Sequence, residues 1–204
     1  IPDCIDTFGD QNSSGCEFEY KIPLHSNANL ISFMSLPSDN WIGTVMESLD
    51  GNVTGVIAQG LAASPNPTLG WIGSLNSIEN PQGYWVVVSS PDTITINTSE
   101  YPGSVNPIYY LGAGANLISF PYEGPFQISD VIPDEVEPYI DRIVAEGQAA
   151  TQNPNLGWVG SLNSLEGSRG YWFITTEPIE FQFINPSEIR KQKKNKLSKI
   201  NVGK

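Results

Sequence analysis

Residues 69–79 read LGWIGSLNSIE, and residues 156–166 read LGWVGSLNSLE. The same offset of 87 residues places the run ANLISF at 28–33 over an identical run at 115–120. Across the 68 positions that the two copies share, 26 are identical without a gap. Self-similarity at one fixed period is the signature of a fold that builds one supersecondary plan more than once. The chain therefore contains two tandem repeats.

The pattern within each copy predicts a mainly β (α+β) fold, made of two pseudo-symmetric repeats of short strands with one short helix each. The ANLISF run predicts a buried strand in both copies. Residues 84–88 and 171–175 combine aromatic and β-branched side chains, which favour strands. The Asn-Pro pairs at 66–67 and 153–154 predict turns.

The predicted helices differ between the copies. In the first copy Ser38 is expected to cap a helix whose apolar positions are spaced by three and four residues, and Gly51 is expected to end it. In the second copy Pro133 and Pro138 prevent a long helix. Only one or two helical turns are therefore expected there, around residues 129–132.

Each copy alone is short for a stable core, so the copies are expected to pack on each other as a pseudo-dimer or to share one core. The predicted organisation has five parts. They are an irregular N-terminal segment at 1–23, the first repeat at 24–96, a linker at 97–110, the second repeat at 111–184 and a basic tail at 185–204.

Charge divides the chain sharply. The chain has ten Lys and Arg residues, and seven of them lie in the last 15 positions: Arg190, Lys191, Lys193, Lys194, Lys196, Lys199 and Lys204. All 22 acidic residues precede Arg190, so residues 1–189 carry 3 − 22 = −19 and the rest carry +7. An acidic body disfavours nucleic acid as a partner, and no apolar run approaches the roughly 18 residues of a membrane span. We expect the tail to be an assembly arm that docks on a neighbouring protein subunit.

Cys4 and Cys16 are the only two cysteines, and both lie in the N-terminal segment. A disulfide between them would close a short loop and hold a region that has few other constraints. Such a disulfide indicates an extracellular or exported protein. The alternative is a pair of free thiols in a cytosolic protein.

Aromatic side chains recur at matched positions of the two copies. They are Trp71, Tyr84 and Trp85 in the first and Trp158, Tyr171 and Trp172 in the second. Their neighbours are mostly Gly, Ile, Val and Leu, which predicts core and inter-repeat packing. The alternative is an exposed platform on which sugar rings stack.

No catalytic, cofactor-binding or metal-binding residues are predicted, and no cofactor is expected. Glu79 and Glu166 lie at capping-box spacing from Asn76 and Asn163, which predicts a single helical turn at each place and favours a structural role over an acid–base pair. His25 is the only histidine and lacks the surroundings of a zinc site or a catalytic triad. The stretch from Asp10 resembles the start of a calcium loop, yet it carries Lys21 where a bidentate acid is required.

The series NLISF, then GW(I/V)GSL, then GYW resembles repeats in virion structural proteins of marine phages and in surface proteins of marine bacteria. The resemblance covers about two thirds of the chain, and residues 1–20 and 186–204 have no counterpart in it. It implies a structural or adhesive module on the surface of a particle or a cell. It brings no catalytic residues with it.

The sequence thus predicts a non-enzymatic structural or assembly protein of an outer surface, and its sharper form is a virion decoration or accessory protein. Its expected location is extracellular or on a virion surface, and its expected partners are other protein subunits of the assembly. The alternative is a carbohydrate-binding or adhesion module of a secreted bacterial protein, with surface glycans as partners. A stand-alone hydrolase is a third class, and fold alone does not separate the three.

Overall fold

A computed structural model describes residues 17–189 of the chain. The strands of the first lobe are β1 (Phe18–Leu24), β2 (Asn27–Ser32), β3 (Val53–Ala58), β4 (Leu61–Asn66), β5 (Gly70–Gly73), β6 (Gly83–Val88) and β7 (Asp92–Thr98). Those of the second lobe are β8 (Tyr109–Leu111), β9 (Gly114–Ser119), β10 (Phe126–Gln127), β11 (Ile140–Ala145), β12 (Gln148–Asn153), β13 (Gly157–Gly160), β14 (Ser164–Leu165), β15 (Gly170–Thr175) and β16 (Ile179–Phe181). The helical elements are α1 (Ile42–Val45), α2 (Ile128–Val131) and the 3₁₀ turns Glu47–Leu49 and Glu137–Tyr139. Residues 186–189, at the start of the predicted tail, are also helical.

Both lobes share one antiparallel plan. The five-stranded sheet of the first lobe has the order β2-β6-β3-β4-β5, and that of the second has the matching order β9-β15-β11-β12-β13. A separate ladder flanks each sheet, β1 with β7 and β8 with β16. The predicted mainly β fold of two similar repeats is confirmed.

Each lobe has its own hydrophobic core. On β6 the side chains of Tyr84, Val86 and Val88 point into the first core, while those of Trp85 and Val87 point the other way. This alternation follows from the two-residue period of a strand. The chain is therefore a pseudo-dimer of two cores, which is one of the two arrangements that the sequence left open.

Strands β2 and β9 are buried on both faces. Ile31 and Ile118 belong to the cores of their own lobes. Leu30 and Leu117 are equally buried but belong to neither core, because they lie on the opposite face, where the lobes meet. An apolar run without alternation is the pattern expected for a strand that is covered on both sides.

Two predicted boundaries are wrong. The segment 1–23 was expected to be irregular, but its last residues form β1, which pairs with the whole of β7. The predicted linker 97–110 is shorter, because β7 continues to Thr98 and β8 begins at Tyr109. The predicted disulfide Cys4–Cys16 and the charged residues of the tail lie outside the described residues.

The helix of the first lobe does not begin as predicted. Ser38 does not cap it, and Trp41 occupies the N-cap position without a side-chain hydrogen bond. The Asp39 carboxylate instead accepts hydrogen bonds from the Trp41 N–H (3.1 Å) and the Thr44 hydroxyl (2.7 Å). The first turn of the helix is therefore held by Asp39, one residue after the predicted cap.

The helices also depart from the common offset. Ile42 donates a backbone hydrogen bond to Asn76, and Ile128 donates the equivalent one to Asn163. Equivalent strands of the two copies begin 87 residues apart, as β3 and β11 do. The helices α1 and α2 begin only 86 residues apart. The gapless alignment is therefore wrong locally: the second copy has one residue fewer before the helix and one more after it.

The capping turns predicted at Asn76–Glu79 and Asn163–Glu166 are also wrong. Neither stretch is helical, and Ser77 instead forms a β-bridge with Trp41, as β14 pairs with β10 in the second lobe. The Tyr84 hydroxyl accepts a hydrogen bond from the Glu79 N–H at 2.7 Å, and Tyr171 accepts the equivalent bond at 2.8 Å. These tyrosines satisfy backbone donors that a helical turn was expected to satisfy.

Candidate interaction surfaces

The junction between the lobes is isologous, as in a two-fold symmetric dimer. The Ser32 N–H donates to the Ser168 carbonyl at 3.2 Å, and the equivalent Ser119 N–H donates to the Pro81 carbonyl at 3.1 Å. The same symmetry appears in two β-bridges between the lobes, one of β2 with Arg169 and one of β9 with Gln82. Because each lobe offers the same patch to the other, duplication of one unit is enough to create this contact.

Two hairpin tips reach across the junction. Gln59 lies in the two-residue turn between β3 and β4, and its amide accepts a hydrogen bond from the Leu117 N–H (2.8 Å) and donates one to the Ala115 carbonyl (3.0 Å). Glu146, in the equivalent turn between β11 and β12, accepts the Leu30 N–H at 3.0 Å. A carboxylate cannot donate, so the second contact is replaced by a new partner, His25.

His25 pairs with Glu146 through Nε2 and Oε1 at 2.6 Å, and its Nδ1 contacts the Ser26 carbonyl at 2.8 Å. Both of these partners accept hydrogen bonds, so the ring is best satisfied when both nitrogens carry protons. The Ser26 carbonyl first, and the Glu146 carboxylate second, therefore raise the pKa of His25. Both ring nitrogens are engaged, which makes His25 an ion-pair partner of the hairpin tip.

A charged cleft of about 830 Å³ surrounds this pair between the two lobes. Arg169 and Glu166 form a second ion pair in its wall, with Nε and Oε2 3.3 Å apart. The remaining charged lining residues are Lys21 and Glu123.

The symmetry-related cleft has about half the volume, 410 Å³, and none of the charges. Gln82 stands where the charged cleft has Arg169, and Gln59 stands where it has Glu146. The two copies of one surface have therefore diverged in charge while keeping the same backbone contacts. Sequence reasoning missed this, because residues 25 and 146 come together only when the lobes dock.

A pair of exposed apolar loops lies between β4 and β5 and between β12 and β13. Leu69 is 73% exposed and Leu156 is 74% exposed, at equivalent positions. The Asn66 side chain accepts hydrogen bonds from two N–H groups of its loop, and Asn153 does the same in the other. These turns hold each leucine in a fixed position in solvent.

The six aromatic residues predicted to form the repeat core fall into three places. Tyr84 and Tyr171 are fully buried, as predicted. Trp71 and Trp158 are half-buried at the margins of the two cores. Trp85 and Trp172 are also half-buried, but they lie on the faces of β6 and β15 that point away from those cores. The predicted core packing therefore holds for the two tyrosines, whereas the four tryptophans are only half-buried.

Within residues 17–189, no group of three or more His, Cys, Asp or Glu side chains is arranged to hold a metal ion. In the same part of the chain, no helix is both long and apolar enough to cross a membrane.

Compared with known proteins, the chain matches no family model, no curated protein and no solved structure. The resemblance to repeats of marine phage and bacterial surface proteins therefore remains a prediction.

Proposed function

We propose that this protein is a non-enzymatic structural or assembly protein of an outer surface, and that it contacts other protein subunits through its two apolar loops. The observation that carries the proposal is the matched exposure of Leu69 and Leu156. Leu69 and Leu156 belong to neither hydrophobic core, so core packing does not account for the leucine repeated at this position. Contact with a partner gives both leucines a role.

The neighbouring residues extend each contact. Ile72 on β5 and Val159 on β13 are each 44% exposed, and both strands are the outer edges of their sheets. An edge strand carries unpaired backbone groups that a partner can bind. Each lobe thus offers an apolar loop beside an open edge, and the two-fold relation presents this surface twice.

Two equivalent contacts on one molecule favour assembly over binding of a single partner. When one loop is bound, the second meets its partner at a high effective concentration, so the pair holds much more tightly than either alone. The basic tail is opposite in charge to residues 17–189, which hold 3 basic and 19 acidic residues. Docking of the tail on such an acidic surface of a neighbouring subunit would add a salt-sensitive contact. A virion decoration or accessory protein is the specific form of this role that we favour.

The test is retention of the protein on the particles or cells that carry it. Leu69→Asp and Leu156→Asp are introduced singly and together, with Val105→Asp in the linker as a control at another exposed apolar position. The double variant should fold normally and be lost from the isolated surface fraction, the single variants should be partly retained, and the control should be fully retained. Full retention of the double variant would rule out the loops as the contact.

The tail is tested by deleting residues 190–204. The deletion begins after Ile189 because that residue packs against the core of the second lobe. The truncated protein should fold and should be washed from the surface fraction at a lower salt concentration than the full chain. Equal retention of the two at all salt concentrations would contradict the assembly arm.

A further inference from the structure

The second lobe carries a groove beside its helix, at the place where an aromatic ring lies against the helix in the first lobe. The groove has a volume of about 340 Å³ and lies between the start of α2 and β13. Its lining combines the aromatic ring of Trp158 and the apolar Leu156 with four polar side chains: Gln127, Ser129, Glu137 and Asn163. Small-molecule sites begin at about 300 Å³, so the groove is large enough for a ligand of one or two rings.

The matching position of the first lobe shows what kind of group fits there. Trp41 is the equivalent of Gln127, since each precedes its helix and pairs with Ser77 or Ser164. The indole ring of Trp41 lies directly on Gly43: a Cβ added to that glycine would be 2.0 Å from Cζ3. A flat ring therefore covers the helix start in the first lobe.

In the second lobe, both residues that make this cover possible are replaced. Gln127 stands in place of Trp41 and Ser129 in place of Gly43, so the aromatic cover is absent and two polar side chains face the groove. Gln127, Ser129 and Asn163 are exposed, and their amide and hydroxyl groups can both donate and accept hydrogen bonds. The floor is also held in place, because the Trp158 indole N–H donates to the Glu137 carboxylate.

From this juxtaposition we infer that the groove of the second lobe is a binding site for a neutral sugar ring. A pyranose has an apolar C–H face, which suits the half-buried ring of Trp158, and a rim of hydroxyls, which suits Gln127, Ser129 and Asn163. Anionic ligands are disfavoured by Glu137 at the site and by the acidic body around it. The inference goes beyond the proposed assembly role, which the apolar loops alone would satisfy.

The groove adjoins one of those loops, because Leu156 belongs to both. A bound saccharide would therefore lie beside the exposed leucine of the second lobe. The first lobe keeps its leucine, but the ring of Trp41 lies over its helix start. The two lobes thus have one contact in common and one that only the second can make.

The experiment measures binding of neutral methyl hexosides and their oligosaccharides to the full chain by ligand-observed NMR. N-acetyltryptophanamide and adenosine serve as competing aromatic probes. The double variant Gln127→Trp/Ser129→Gly transfers the cover of the first lobe to the second and should weaken saccharide binding at least tenfold. Asn163→Ala should weaken it several-fold, whereas the matched Asn76→Ala in the first lobe should leave it unchanged.

Four results would overturn the inference. They are no binding of any neutral saccharide, binding of the aromatic probes only, binding that survives the transferred cover, and equal loss in Asn76→Ala and Asn163→Ala. If the double variant does not fold, the two asparagine variants decide alone. Loss of saccharide binding in Asn163→Ala with normal retention on the surface fraction would separate this site from the proposed assembly contact.

Discussion

Gln59 and Glu146 occupy equivalent hairpin tips, and each accepts a backbone N–H from the opposite lobe, that of Leu117 at 2.8 Å and that of Leu30 at 3.0 Å. One is an amide that also donates to Ala115, and the other is a carboxylate that pairs with His25. The same backbone contact is therefore neutral at one tip and ionisable at the other. The lobe junction therefore carries an ionisable pair at one of its two ends.

This ionisable contact should make stability depend on pH. The pKa of His25 is raised in the folded chain, so the stabilisation is fully present below the unfolded value near 6.5 and is lost as the pH rises through the folded value. The chemical denaturation midpoint of the wild type should exceed that of His25→Ala at about pH 5.5, and the gap should close as the pH rises through the raised pKa of the folded chain. Glu146→Gln should reduce the gap, and a gap independent of pH would contradict the ion pair.

The buried tyrosine hydroxyls should stabilise both lobes equally. Tyr84→Phe leaves the Glu79 N–H without its acceptor, and Tyr171→Phe does the same to the Glu166 N–H. Each should lower the free energy of unfolding by about 1–3 kcal/mol. Tyr110→Phe is the control because that ring is largely exposed, and it should have little effect. Equal stability of all three variants would show that the two hydroxyls are not needed.

The junction should not tolerate a side chain at Gly170. An added Cβ would lie 2.7 Å from the Ile31 carbonyl oxygen of the other lobe. Gly170→Ala should therefore separate the lobes locally, cost about 1–3 kcal/mol and broaden the calorimetric unfolding transition. Gly112→Ala, whose nearest atom would be 4.0 Å away, is the control and should unfold as the wild type does. Identical transitions for the two variants would contradict the tight junction.

Substitutions of the buried and the exposed leucine of the repeated motif should differ clearly in their effect on the free energy of unfolding. Leu75 is 3% exposed, and Leu75→Ala should cost about 2–5 kcal/mol because it opens a cavity in the first core. Leu69→Ala should change the free energy of unfolding by less than about 0.5 kcal/mol. Urea denaturation of the two variants measures the difference. A large cost at Leu69 would mean that the loop supports the fold and is not reserved for a partner.

The N-terminal prediction concerns residues outside those described. Cys4 and Cys16 should be joined, so the native chain should not gain mass when it is alkylated without reduction. Reduction before alkylation should then add two labels. Two labels on the unreduced protein would refute the disulfide and remove one argument for an exported protein.

The sequence by itself determined the duplication, the mainly β class and the burial of Tyr84 and Tyr171. These properties follow from local rules, since a two-residue period and a repeated motif can be read along the chain. Local rules failed at α1, where Asp39 and not Ser38 orders the first turn, and at Asn76–Glu79, where pairing with the helix start replaced a turn. At Asn76–Glu79, the bridge between Ser77 and Trp41, which lies far away in the sequence, outweighed the local preference.

Only the tertiary structure decided which surfaces meet and which stay free. Leu30 and Leu69 are both leucines of a repeated motif, yet the first is buried at the junction and the second stands in solvent. The pairing of His25 with Glu146 spans 121 residues, and the cover of Trp41 over Gly43 is recognisable only beside the open groove of the second lobe. The physical reason is that docking of two lobes depends on shape and hydrogen bonding across the whole interface, which no local pattern encodes.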